Sequence, residues 1–248
     1  MELDNKVATQ LFSHLHDYLV EFLKLTRYAL GECELCKGAK LIHPLLCHHC
    51  YADLPLFTYQ HLGHNLLNWP AIDKLFPNRT FDQLLCLAPY AEPFNHWLKQ
   101  FKYQQRFELA DLFAFLLTEL LREQYFENND CGILSVPIHL NKWQQRGFNQ
   151  AHLIASAFNK RTKLPYLDSA LVRSSYSESQ VGQSGKLRRK LLKNAFDISE
   201  EVDTFPSNII LIDDVITTGS TVNALCKLLK LKGVKHITVL TVAFTLPK

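Results

Sequence analysis

The run Ile209-Ile210-Leu211-Ile212-Asp213-Asp214-Val215-Ile216-Thr217-Thr218-Gly219-Ser220-Thr221 constrains the fold more than any other part of the chain. Four consecutive apolar residues predict a strand covered on both faces, the habit of a parallel sheet. Two adjacent carboxylates end it, a Thr/Gly/Ser loop follows, and helical patterning starts at Ser220. Ligands of open parallel sheets bind at the carboxyl ends of the strands. A loop entering a helix there offers backbone N–H groups and the positive end of the helix dipole to a phosphate. The hydroxyls add donors, and Gly219 permits a tight nest in which the backbone approaches the oxygens. Two carboxylates beside such a cradle would repel the phosphate unless they do other work. Accepting hydrogen bonds from the vicinal hydroxyls of a ribose, directly or through Mg²⁺, is that work. The residues therefore predict a ribose 5-phosphate site.

The surrounding pattern agrees with an α/β fold. Strands are expected at Phe81–Tyr90, Gly132–Ile138, Ala170–Arg173, Asn208–Ile212 and His236–Phe244, with helices at Asn95–Tyr103, Glu108–Glu123, Phe148–Lys160 and Ser220–Lys232. Alternation of this kind builds a parallel sheet covered on both faces. Residues 4–30 read as an amphipathic helix, and Leu54 to Thr80, rich in Pro, Asn and His, as a long irregular connection. The expected organisation is an N-terminal module over residues 1–80 and an α/β domain over 81–248. No Gly-x-Gly-x-x-Gly occurs, and Gly182–Leu187 has the wrong gap for a phosphate loop of the Walker type.

Four of the seven cysteines cluster as Cys33-x2-Cys36-x10-Cys47-x2-Cys50. Each two-residue gap lets a pair of thiolates face one ion, so two pairs supply a closed tetrahedral Zn²⁺ shell. The short x10 gap predicts a compact knuckle, with His43, His48 and His49 nearby but not needed as ligands. A closed shell leaves no open position, so the metal is assigned a structural role. Cys86, Cys131 and Cys226 sit in apolar contexts and are expected to be buried free thiols. Reduced thiols and zinc both suit the cytosol.

Composition excludes whole classes. Of 248 residues 47% are hydrophobic and 21% charged, which is neither a disordered tail nor a fibrous rod. The acidic start Met1–Lys6 is unlike a secretory signal, and Leu109–Leu121 is too short and carries too much charge to span a bilayer. A cytoplasmic protein without membrane insertion is the expectation. Residues 1–140 hold 11 Lys+Arg against 16 Asp+Glu, whereas residues 141–248 hold 16 against 8, a balance of +8. A basic half fits a polyanionic partner and fits a merely solvated face equally well. Trp97, Tyr103, Trp143 and Phe148 lie near basic residues, where they could stack on single-strand bases or be buried.

Residues 209–221 resemble the phosphoribosyl-diphosphate (PRPP) signature of type I phosphoribosyltransferases at nearly every position. Three further segments are similar to the ComF/GntX family: Val136-Pro137-Ile138 with Arg146-Gly147-Phe148-Asn149-Gln150-Ala151, then Arg173 through Gln180, then Arg188-Arg189 up to Ala195-Phe196. Leu98-Lys99-Gln100-Phe101-Lys102-Tyr103 resembles that family's Lys-Tyr segment, and the four cysteines resemble its zinc module. The bacterial members include competence proteins of natural transformation.

The resemblance implies a type I phosphoribosyltransferase-like domain in which Asp213 and Asp214, with Val215, serve the ribose hydroxyls and the Mg²⁺ shell. Thr217, Thr218, Gly219, Ser220 and Thr221 would cradle the 5-phosphate. The segment after Pro137 resembles a pyrophosphate loop, with Lys142 and Arg146 as candidates for that charge, Arg146 having helix anchoring as its other reading. Residues Tyr176–Lys193 would form a lid bearing Arg188 and Arg189. No segment identifies an acceptor base. The function implied is PRPP-dependent handling of single-stranded DNA in transformation, together with DNA-uptake and recombination proteins. A salvage phosphoribosyltransferase and a PRPP-gated binding module are the alternatives.

Overall fold

The computed structural model describes residues 31–39, 41–121, 130–173 and 195–245. The expected helix over 4–30, the lid at 176–193 and the Gly182–Leu187 loop lie outside the described residues. The chain divides into two compact units after Leu54.

In the first unit, hairpin strands β1 (Leu41–His43) and β2 (Leu46–Cys47) lead into helix α1 (His48–Ala52). Ahead of them the chain turns tightly, with Lys37 N–H donating to Cys33 O at 2.8 Å and Cys33 N–H to Gly38 O at 3.1 Å. Cys47 is the N-cap of α1, and its sulfur accepts from the Cys50 N–H at 3.4 Å.

The second unit has, in chain order, α2 (Pro70–Asp73), β3 (Gln83–Pro89), α3 (Phe94–Tyr103), α4 (Leu109–Leu121), β4 (Cys131–Ser135), α5 (Leu140–Arg146), α6 (Gln150–Thr162), β5 (Leu171–Arg173), β6 (Phe196–Ile198), β7 (Asn208–Ile216), α7 (Ser220–Leu231) and β8 (His236–Phe244). Four strands form a parallel sheet in the order β3-β8-β7-β4. Every residue of β8 after His236 is buried, so both faces of that strand are covered, as its unbroken apolar run requires. Beyond β4, Tyr166 bridges Ile133 in parallel, with Ile133 N–H donating to Pro165 O at 2.7 Å. β5 and β6 form a separate antiparallel pair.

The helices bury what their periodicity predicts. In α3 the buried face is Phe94, Trp97, Leu98 and Phe101, the i, i+3, i+4, i+7 stripe of an amphipathic helix. α4 packs on α6, β3 and β8, and α6 covers β4 and β7. Each large side chain fully buried here contributes roughly 1.5–3 kcal/mol. Cys86, Cys131 and Cys226 are buried free thiols, and burial raises the first two to about 12 and about 11.

Three expectations are corrected. The division falls after Leu54 rather than near residue 80, because residues 55–80 are tied into the α/β unit. Tyr59 Oη donates to Cys86 O and accepts from Cys86 N–H, both at 2.8 Å, and Phe76 packs against Phe81 and Phe244. β7 runs to Ile216 rather than ending at Ile212, since β8 stays in register alongside it through Asp213↔Thr241 and Ile216↔Phe244. Residues 140–146 form a helix, capped by His139 Nδ1 accepting from the Asn141 N–H and ended by Gly147 at φ 77.

Gly219 enters α7 at φ 66, and a Cβ there would lie 2.7 Å from Phe76 Cε1. Gly219→Ala is therefore expected to cost about 1–3 kcal/mol through overpacking. A urea midpoint unchanged from wild type would refute that contact.

Candidate functional site

β7 carries Asp213 and Asp214 past the end of β4, where Val136 N–H donates to Ile212 O at 2.9 Å. Asn149 ties this corner to α6: its Nδ2 donates to Val136 O at 3.0 Å, and its Oδ1 accepts from the Ala151 N–H at 3.1 Å. The result is a cavity of about 420 Å³ lined by Asp213, Asp214, Val215, Thr217 and Thr221. Lys102, Lys142, Arg146 and Gln150 line it as well. Thr218, Gly219 and Ser220 instead line a smaller cavity of about 180 Å³ with Phe76, Arg79 and Asn223. The loop 217–221 is thus shared between two cavities, and Thr218 Oγ1 lies 2.9 Å from Ser220 Oγ. Arg188 and Arg189 fall outside the described residues.

The two carboxylates differ in surroundings. Burial pushes the Asp213 carboxyl well above the usual carboxylate range, and the negative Asp214 beside it adds to the effect. The Asp214 N–H, which donates to Asp213 Oδ1 at 2.8 Å, and Lys102 oppose the shift without cancelling it. Asp214 is paired with Lys102, Oδ2 to Nζ at 2.7 Å, with side chains 14% and 16% exposed. Removing one partner of so enclosed a pair leaves an uncompensated charge, so Lys102→Ala is expected to destabilise the fold by about 3 kcal/mol. Equal thermal stability of the variant would show the pair to be unimportant.

The cationic wall fits an anion. Arg146 Nη1 donates to Gln150 Oε1 at 3.0 Å and Nη2 to Tyr103 Oη at 3.1 Å, and the guanidinium stacks 5.0 Å from the Tyr103 ring centre. Arg146 Nε and Gln150 Nε2 are buried and without a partner among the described residues. Two buried donors left unsatisfied at the wall of a cavity carry a penalty that a phosphate oxygen would remove. The carboxylate pair lining the same cavity suits a divalent cation or sugar hydroxyls. Lys102, Gln150 and the Tyr103 stack were not singled out from the sequence as site groups, although Lys102 and Tyr103 lie in the Lys-Tyr segment and Gln150 in the Arg146–Ala151 segment.

The aromatic candidates separate cleanly. Trp97 is 2% exposed, and Phe148 packs on Phe101 and Phe107, whereas Tyr103 is 69% and Trp143 50% exposed. Burial in α3 removes Trp97 as a stacking surface.

In the first unit the sulfurs of Cys33, Cys36, Cys47 and Cys50 all lie within 4.8 Å of one another, and Cys36 Sγ is 3.6 Å from Cys47 Sγ. Tetrahedral ligation at a metal–sulfur distance of 2.3 Å sets sulfurs about 3.8 Å apart, so the cluster could hold a metal ion. No histidine belongs to it. Burial raises the Cys33 thiol, but backbone hydrogen bonds from Cys36, Cys47 and Leu35 outweigh it and bring it down to about 6. Burial and the neighbouring sulfurs push Cys50 the other way. Among the described residues no helix is long and apolar enough to cross a membrane.

No family model matches the chain. Competence protein F of Haemophilus influenzae is 33% identical over 214 residues, covering 84% of this chain and 88% of that protein. DNA utilization protein YhgH of Escherichia coli O157:H7 is 31% identical, covering 87% and 91%. Competence protein ComFC of Streptococcus pneumoniae is 30% identical over 60% of this chain and 62% of its own. Among solved structures, the glutamine PRPP amidotransferase from B. subtilis superposes at a TM-score of 0.40 and 17% identity, covering 58% of this chain and 30% of that one. Fold and site define a parallel-sheet α/β protein with an acidic pair and cationic side chains lining one cavity. The chain belongs to the competence protein F family.

Proposed function

We propose that this protein binds PRPP with Mg²⁺ in the 420 Å³ cavity and acts in the cytoplasm on single-stranded DNA during natural transformation. The observation that carries the proposal is the meeting of Asp213 and Asp214, near the end of β7, with Lys142, Arg146 and the orphaned Gln150 donor in the lining of one cavity. In this reading Asp213 and Asp214 hold the ribose hydroxyls and would hold Mg²⁺, which when bound draws charge onto the leaving pyrophosphate. Thr217 and Thr221 face the 5-phosphate. Lys142 and Arg146 take the diphosphate, and Lys102 gives up Asp214 as the ligand arrives. Such a site works by positioning and by stabilising charge that develops as the C1–oxygen bond loosens, so it needs no nucleophilic side chain. The four-cysteine cluster holds structural Zn²⁺. DNA-uptake and recombination proteins are the proposed partners, a reading supported by the competence relatives and by the basic half from residue 141.

The test is complementation of a Haemophilus influenzae strain lacking competence protein F. This chain is expected to restore transformation and its Asp213→Asn variant to fail. Full rescue by the variant would remove the cavity from the function.

A further inference from the structure

Lys102 is the last residue but one of α3, and its ammonium lies 2.7 Å from Asp214 Oδ2 with both side chains largely buried. The helix that carries it is anchored. Trp97, Leu98 and Phe101 are buried, and the Phe101 ring packs on Phe113 and Phe148. Tyr103, the next residue, accepts from Arg146 Nη2 at 3.1 Å and stacks on the same guanidinium. One helix end thus grips an acidic and a cationic member of a single cavity lining.

The charges of that lining decide what enters it. Four cationic side chains, Lys102, Lys142, Arg146 and Arg173, line the cavity with the two carboxylates. A free divalent cation therefore meets an excess of positive charge. It also finds Asp214 Oδ2 held by an ammonium, whereas Mg²⁺ seeks such an oxygen at about 2.0–2.1 Å. An anion meets the reverse. The excess charge attracts it, and its oxygens give the Lys102 ammonium a second place to bond.

We infer that Lys102 is an internal counter-ion that closes the acidic pair to free divalent cations, so that metal enters only together with the anionic ligand. The inference rests on the reading of this cavity given above and adds an order of binding to it. Release needs movement of the flexible lysine stem alone, since the apolar face of α3 holds the helix in place.

Electron paramagnetic resonance tests this on the full-length chain, with Mn²⁺ in place of Mg²⁺ and the free-ion signal as the readout. Wild type without PRPP is expected to leave that signal unchanged. With PRPP it should lower the signal beyond what PRPP alone does. Lys102→Met keeps most of the stem and drops the charge, so it should bind Mn²⁺ without PRPP at least about tenfold more tightly than wild type. Lys102→Arg keeps the charge and should stay closed. A gain of metal binding is a result that mere loss of packing does not produce. Should Lys102→Met fail to fold, the wild type carries the test by itself. Mn²⁺ uptake by the wild type as strong without PRPP as with it would overturn the inference, as would a folded Lys102→Met variant that excludes Mn²⁺ like the wild type. A wild type whose signal PRPP does not change beyond the PRPP-only control, and which takes up no Mn²⁺ without it, would overturn the reading of the cavity and this inference together.

Discussion

Replacing Cys33 by serine, or stripping metal with a chelator, is expected to unfold the first unit while leaving the α/β unit folded. The described part of that unit has few buried apolar residues beyond its cysteines, Leu46 and Leu54 among them. The core among the described residues is small beside the chain entropy of ordering them, and structural metals supply the difference in modules of this size. Structural zinc binding contributes on the order of 10 kcal/mol in zinc-finger peptides. Hydrogen exchange read on peptides from residues 31–54 should therefore rise to the unfolded rate in Cys33→Ser, with exchange in β7 and β8 unchanged and zinc content falling from one ion per chain to none. Native protection of the peptide in a metal-free variant would contradict the assignment.

Asp213→Asn is expected to abolish Mg²⁺-dependent PRPP binding and at the same time to raise the melting temperature at neutral pH. Both effects follow from one carboxyl. Its folded-state pKa lies above its unfolded value, chiefly through burial and then through Asp214. The native state therefore binds more protons than the unfolded chain between those two values. The contribution of this group to stability is fully present below the unfolded pKa of about 3.9 and is lost as pH rises through the folded one. Asparagine mimics the protonated carboxyl and avoids the loss. A gain of about 0.5–2 kcal/mol at pH 7, shrinking towards pH 4, is the pattern of a binding residue kept at a cost in stability. A variant less stable than wild type at pH 7 would show that the ionised carboxylate is well accommodated without ligand.

Much of this was legible locally. Strand β8 was bounded from its apolar run alone, and the cluster of four sulfurs follows from the spacing of Cys33, Cys36, Cys47 and Cys50. What stayed hidden depends on distant partners. Helix α5 has the sequence Leu140-Asn-Lys-Trp-Gln-Gln-Arg146, whose polar residues give no apolar stripe to read. It forms because His139 and Gly147 cap it. Asp213 and Asp214 look like the end of a strand, because carboxylates rarely continue one, yet pairing with β8 carries the strand through them. The Lys102–Asp214 pair joins residues far apart in sequence, so no local pattern announces it. Residues 55–80 lack periodicity because their only helices are single short turns such as Pro70–Asp73, and side-chain bonds such as Tyr59 to Cys86 hold the rest.

Phosphorus NMR of PRPP with Mg²⁺ and the full-length protein tests the central claim most directly. The PRPP resonances are expected to broaden and shift with the wild type and to remain those of the free compound with Asp213→Asn. Unperturbed resonances with the wild type at protein in excess, or equal perturbation by the variant, would contradict the assignment of the cavity.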